Sequence, residues 1–423
     1  MTSSPLEFLA SMYGNVIRYD ADGNPGIFVR FPKMKSSELD ENLPEHTHPA
    51  FIVDGVEQDA ILIGRYAAAS PEGNGADGGA LYSLPNVPPA HSLSADALLH
   101  QMRMAGDGIT GMTAADKGFL LLLAQRRGWI PKGNSDFGHC GRDAAPFTPG
   151  ESVAAGDVRG FRGWSWACIQ AHTASVERSP DAAPAYWQRL RHIGGTEACA
   201  DADTRATQLT ISGSGPLSWT LGGAPGGVCD IVGNQSEADY GYRLVDCEIQ
   251  ILADNDAASP DADLSAESAA WRAILPNATN DGCTLVAPGT PGTLHWTWQD
   301  GALTLDTQEP EFDGEIRETA FDSLAANSER VPVVPHILRE LGIFPTVNCT
   351  TPGTCAVRMA RGEVIPRRGG HYASTSAAIG MGALNCTQGR ESAQIRYGAR
   401  PRAMEDMETF ILDSTVLDTS ALA

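Results

Sequence analysis

GDGITGMTAADKGFLLLLAQRRGWIPKGN, residues 106–134, decides how this chain is built. Thr113 stands just ahead of an apolar block, with Asp116 three positions on. That spacing is a capping-box-like pair, in which side chains satisfy the free N–H groups of a first helical turn. Phe119–Ala124 follows as the longest purely apolar run in the chain. Arg126-Arg127-Gly128 then closes the segment, with cations where the helix dipole favours them and a glycine for the left-handed stop. Pro131-Lys132-Gly133-Asn134 turns the chain away. The reading is a helix from Thr113 to Gly128, whose apolar core is far too short to span a bilayer.

Working outward, a second helix is predicted over 93–105, capped by Ser92 or Ser94 and stopped by Gly106. Upstream, Ile27–Pro32 and Ala60–Tyr66 read as strands, the latter after the turn signal Asp54-Gly55. Downstream, QLTISG (208–213), LSWTLGG (217–223) and YRLVDCEIQIL (242–252) read as short strands. Residues 285–298 suggest a hairpin around Pro-Gly-Thr-Pro-Gly. A short helix fits 335–341, with Pro335 at its first position and Gly342 just past its end. Residues 70–80 and 135–205 are loop-rich, the latter including GFRGWSWACIQ (160–170). Asp254–Ser268 reads as an acidic surface excursion, and no internal repeat is visible. Two main helices, many short strands and no β-α-β rhythm make the fold class α+β.

The chain has 423 residues, enough for a sizeable core, and 42% of them are hydrophobic, which excludes disorder by composition. With 30 Lys+Arg against 52 Asp+Glu, the net charge is −22. No basic run exceeds two residues, so no nucleic-acid partner is expected. The first twenty residues lack the basic and apolar regions of a signal peptide, and no membrane insertion is expected. Nine cysteines are scattered without CxxC spacing. Cys349 and Cys355 lie close enough in sequence to bridge; burial as unpaired small side chains is the other reading. Asn234, Asn277, Asn348 and Asn385 lie in N-x-[ST] sequons, which carry no expectation here.

Catalytic motifs are sparse. GxSxG, HExxH and GxxxxGKS are absent. Glu45, His46 and His48 are near enough to ligate a metal, but a polar loop beside Pro49 is the simpler reading, and no metal ligand is assigned. Asp254–Asp256 and Asp261–Asp263 offer oxygen ligands for calcium without the spacing of an EF-hand.

Several blocks, in order, carry a resemblance. HPAFIVDGVEQDAILIGRY (48–66), the 106–134 stretch, GSGPLSWTLGGAPGGVCDIVGNQSE (213–237), YRLVDCEIQILADNDAA (242–258), LVAPGTPGTL (285–294), PHILRELGIFP (335–345), GEVIPRRGGHY (362–372) and IRYGARPRA (395–403) are similar to phage and prophage proteins of the formylglycine-generating-enzyme-like superfamily. The resemblance spans about residues 27–403 and implies a C-type-lectin-like fold. Three departures stand out. Thr113–Lys117 lacks the family's Glu-Trp, Gly233–Ala238 lacks its Trp, and Tyr397–Arg400 stands in for Gly-Phe-Arg.

The superfamily's enzymes place a redox-active cysteine pair after an Arg-Gly-Gly. Here Arg368-Gly369-Gly370 is followed by Ser374 and Ile379 at those places. Ile cannot act as a nucleophile and an isolated Ser is unactivated, so no enzyme activity and no catalytic residue is expected. The resemblance implies instead a virion surface protein: a tail-fibre or receptor-binding protein recognising a host cell-surface glycan or protein. Its recognition residues would be His371, Tyr372, Ser374, Thr375, Ser376, Asn385, Thr387, Gln388, Arg390, Glu391 and Ser392, a composition suited to adaptable hydrogen bonding. The implied organisation is an attachment or oligomerisation segment (1–45), a lectin-like domain (46–403) with loop insertions at about 135–205 and 254–330, and a tail (404–423). Expected partners are the host receptor, other virion proteins and further copies of the chain, as a trimer. No cofactor is required, and calcium is the ion that the fold would accommodate. The expected location is the phage tail or head, after synthesis in a bacterial cytoplasm. The alternatives are a capsid or tail decoration or connector protein and, last, a formylglycine-generating-type oxidoreductase.

Overall fold

The computed structural model describes residues 5–136, 144–161, 164–192, 209–375 and 377–405. The described α-helices are α1 (Pro5–Met12), α2 (Ser36–Leu39), α3 (Ala95–Arg103), α4 (Ala114–Arg127) and α5 (His336–Glu340). The described strands are short and fall in several sheets, with turns and loops between them, so the class is mixed α+β. No helix among the described residues is long and apolar enough to cross a membrane.

Helix α4 is the centre of the molecule. Thr113 Oγ1 accepts from Asp116 N at 3.2 Å, Asp116 Oδ2 accepts from Thr113 N at 3.0 Å, and Gly128 closes the helix at φ 62°. Every residue from Ala114 to Ala124 is buried, so the helix is enclosed on all sides, as an all-round apolar sequence requires. Phe119 meets Phe31 and Phe51 edge-on, with ring centroids 5.6 and 5.0 Å away. The main core continues from α4 through Tyr242, Trp296, Leu338, Val357 and Leu384. Helix α3 begins at the Ser94 cap, whose hydroxyl accepts from Ala97 N at 3.1 Å. Pro335 proves to be the N-cap of α5 rather than its first residue, and Gly342 follows at φ 61°.

Three sheets surround this core. A five-stranded antiparallel sheet runs in the order Asn15–Tyr19, Pro25–Pro32, Ala60–Gly64, Pro401–Met404, Ile109–Gly111. The segment 1–45 therefore does not stand apart: two of its strands are hydrogen-bonded into a sheet shared with residues 60–64 and 401–404. A mixed six-stranded sheet runs Ile316–Ala320, Thr354–Arg358, Gly380–Cys386, Arg367–Gly369, Ser236–Ala238, Tyr397–Gly398. The third sheet has eight strands, centred on Glu248–Ile251.

Several expectations change here. Residues 217–223 form two short 3-10 turns, not a strand. Residues 285–298 do not form a hairpin. Strand Cys283–Val286 pairs with Arg272–Pro276, whereas His295–Gln299 pairs with Ala302–Asp306, on the opposite flank of 248–251. Buried Glu248 anchors the connection between them, accepting from Thr293 Oγ1 at 2.5 Å and from Gly289 N at 3.1 Å. Within 254–330, the strands Arg272–Pro276, Cys283–Val286, His295–Gln299, Ala302–Asp306 and Ala325–Ala326 belong to the eight-stranded sheet and Ile316–Ala320 to the six-stranded one, with Trp296, Leu303 and Leu305 fully buried, so the stretch is more than a loop insertion. Within Asp254–Ser268, Asn255, Ala257, Ala258 and Leu264 are buried, so that stretch folds onto the protein. The described residues of 144–161 and 164–192 hold small sheets and a core of their own built from Phe147, Val153, Phe161, Cys168, Ala174 and Trp187. Met404 ends a sheet strand and Glu405 pairs with Arg30 at 2.6 Å; the rest of the tail lies outside the described residues.

Candidate functional site

The six-stranded sheet sets one face outward, and its register decides which side chains stand there. Arg367 faces Asn385, Asn385 faces Ala356, and Ala356 faces Glu318 across successive strands. Alternation adds Thr354 and Ala383 to the same face. The loop after Gly370 folds over one end of this row. The result is a cavity of about 180 Å³ lined by Ser236, Glu318, Thr354, Arg367, His371, Ser374 and Asn385, among others. That is smaller than the roughly 300 Å³ at which drug-sized pockets begin, and suits one small polar moiety. A second, open cavity of about 240 Å³ lies at the edge of the eight-stranded sheet, around Trp298, Gln308, Glu311 and Arg317.

Of the residues expected to recognise a ligand, three line the first cavity: His371, Ser374 and Asn385. Ser374 Oγ accepts from His371 N at 3.2 Å, and His371 Nδ1 accepts from Ala373 N at 3.2 Å. Burial, reinforced by the Arg396 charge, pushes the His371 pKa down to about 4, so the ring is neutral at pH 7. Asn385 Oδ1 accepts from Thr387 Oγ1 at 2.7 Å and from Thr387 N at 3.1 Å. Thr375 is exposed beside the cavity, and Ser376 lies outside the described residues.

The others serve different ends. Tyr372 is 6% exposed and packs on Leu209, so it is a small core residue rather than a contact surface. Arg390 is committed to Glu363 at 2.7 and 2.8 Å and to Asp96 on α3 at 2.7 Å. Gln388 donates to Thr387 Oγ1 and accepts from Ser392 Oγ along their turn, and Glu391 is exposed. Arg367, Thr354, Ser236 and Glu318 were missed from the sequence. Arg367 is fully buried: Nη2 donates to Ser392 O at 2.8 Å, the guanidinium sits 4.3 Å from the Tyr397 ring centroid, and Nε and Nη1 find no partner among the described residues.

The neighbouring motif residues hold the scaffold. Arg368 bonds Asp239 at 2.7 Å and Gly342 O at 2.6 Å. Arg400 bonds Glu237 at 2.6 and 3.2 Å and reaches the carbonyls of Gly64 and Cys229. Lys117 Nζ donates to the carbonyls of Glu237 and Ala238. Burial pushes its pKa down to about 8, against the pull of Asp239 and Glu237. These charges are buried but mutually paired, the condition under which buried ions are tolerated.

The structure also places the histidines of the 45–48 stretch. Glu45 is bound to Lys35 at 2.7 Å and takes no part in a cluster. His48 is fully buried; Nε2 lies 3.1 Å from Glu340 O and Nδ1 accepts from Ala50 N, and burial pushes its pKa down to about 4. His46 Nε2 instead lies 2.6 Å from Glu340 Oε1, in a group completed by His336. This is the single cluster of three His, Cys, Asp or Glu donors among the described residues. His336 and Glu340 are four apart on α5, a spacing visible in the sequence; their partner His46, nearly three hundred residues away, was not.

Cys349 and Cys355 are both free thiols, not a bridge. Ile379 is buried. Burial raises Cys355 to about 12 and Cys386 well above its usual range, so neither supplies a thiolate at neutral pH.

In comparisons with known proteins, no family model matches the chain and no curated protein is significantly similar to it.

Proposed function

We propose that this chain is a non-catalytic recognition protein of a phage-type particle, with a C-type-lectin-like fold, that binds a sugar of a host cell-surface glycan. The observation that carries the reading is the cavity on the outward face of the six-stranded sheet, where Ser236, Thr354, Ser374 and Asn385 line one small polar recess. Hydroxyls and an amide on a rigid sheet match a hydroxyl-rich ligand. The recess takes one sugar unit, so affinity per chain is modest and display of several copies strengthens it. The non-catalytic part rests on Ile379 at a family cysteine position and on thiols that burial keeps protonated.

The test is binding of the purified protein to intact candidate host cells and their isolated glycans, beside an Asn385→Ala/Thr354→Ala variant. These positions suit it better than Tyr372 or Arg390, whose removal would damage packing and ion pairs. Binding by the parent and its loss in a folded variant supports the reading; undiminished binding by the variant overturns the site.

A second reading, a decoration or connector protein, is favoured by one feature. Helix α1 and the residue after it expose Leu6, Phe8, Leu9, Met12 and Tyr13, an apolar surface unusual on a free chain. In that case removing residues 1–13 abolishes assembly with neighbouring particle proteins and leaves cell binding untouched.

A further inference from the structure

We propose that His46, His336 and Glu340 form a binding site for one divalent transition-metal cation of the zinc type. One donor atom from each residue lies within 4.8 Å of the others. His46 comes from the loop after α2, while His336 and Glu340 lie four apart on α5, which sets them on one helical face.

The hydrogen bonds around the cluster argue for a cation. Glu340 is completely buried, yet its Oε2 has no hydrogen-bond donor. Its Oε1 accepts from Ser36 Oγ and lies 2.6 Å from His46 Nε2, whose proton a metal ion at that nitrogen would displace. His336 Nε2 faces Oε2 at 3.7 Å. The other ring nitrogen, Nδ1, lies 2.8 Å from Asp281 O, and a carbonyl can only accept, so Nδ1 carries the proton. In the neutral ring, Nε2 therefore directs a lone pair at the lone pairs of a buried carboxylate. Two acceptors opposed in a buried site call for a cation between them. A metal-bound imidazole characteristically donates its remote N–H to a backbone carbonyl, which is what His336 does.

The donor set selects the class of ion. Two imidazoles and one carboxylate suit zinc and its transition-metal neighbours, whereas calcium and magnesium require more oxygen ligands. Both imidazoles are partly exposed, with side-chain exposures of 42% for His46 and 21% for His336, leaving room for water as a fourth ligand. His48 cannot join, because both of its ring nitrogens are engaged with the backbone. The ion would clip the loop carrying His46 to α5, and through α5 to the central helix.

The test uses the full chain, stripped with a chelator, dialysed and titrated with Zn2+ by calorimetry and with Co2+ by visible absorption. The expected result is one equivalent bound per chain, a Co2+ spectrum of a low-coordinate N/O site, and a thermal midpoint that rises with Zn2+. His46→Ala, at a partly exposed position that keeps the fold, is expected to weaken binding at least about tenfold. Titration of His336→Gln serves as the second variant. Absence of saturable binding in the parent overturns the proposal, and means that a proton on His336 balances Glu340 instead. Binding unchanged in both variants overturns it equally, by placing the ion elsewhere.

Discussion

Gly118 sits in the middle of α4, where intrinsic preference and tertiary packing predict opposite outcomes for replacement by alanine. A glycine inside a helix costs about 1 kcal/mol relative to alanine, so on propensity alone Gly118→Ala stabilises the protein by that amount. The structure reverses the sign. A Cβ at Gly118 would stand 2.0 Å from Glu340 O, 2.5 Å from Leu341 C and 2.7 Å from Leu341 Cα. These are backbone atoms, so no rotamer change relieves the clash. Restoring a contact of at least 3.0 Å to Glu340 O means displacing α5 or α4 by on the order of 1 Å through a close-packed core. Overpacking of this kind typically costs about 1–3 kcal/mol, and an obstruction made wholly of backbone belongs at or above the upper end. Against the gain of about 1 kcal/mol in propensity, the net expectation is a loss of about 2 kcal/mol. Urea unfolding followed by tryptophan fluorescence reads it, since Trp219 and Trp296 are fully buried and report on the core. A variant as stable as the parent, or more stable, refutes the claim that the absent side chain at 118 is what lets α5 approach.

Two other predictions concern titratable groups. His371 is held neutral with a pKa near 4, below the value of about 6.5 in an unfolded chain. The unfolded state therefore binds the extra proton first, and stability is lost as pH falls from about 6.5 towards 4, by up to about 3 kcal/mol. His371→Asn should flatten that part of a stability-versus-pH curve, and an unchanged slope contradicts the assignment. Glu237→Gln removes the charge that faces Arg400, leaving a guanidinium that is 0% exposed without its counter-ion. Breaking one side of such a buried pair costs about 3–5 kcal/mol, measured by denaturant unfolding, and a change below about 1 kcal/mol would falsify the pairing as a structural element.

The sequence by itself determined those parts whose causes are local. The capping pair Thr113/Asp116 and the left-handed Gly128 fix both ends of α4 because each acts within one helical turn. The run 242–252 was legible as strand, but not its break: Asp246 and Cys247, at φ 49° and 62°, turn it into the paired strands Tyr242–Val245 and Glu248–Ile251. Local pattern failed where distant groups decided. Residues 285–298 carry a turn signal, yet their two strands pair elsewhere because buried Glu248 holds the connection and other strands supply the partners. Tyr372 and Arg390 have the composition of a recognition surface, but Leu209 buries the one and Glu363 and Asp96 engage the other. The cavity wall joins Ser236, Glu318, Thr354, Arg367 and Asn385 from separate strands, and the metal-type cluster joins His46 to α5. Side-chain type and spacing travel with the chain, whereas register and the meeting of remote segments are settled only when the shared core forms, and both candidate sites belong to that second kind.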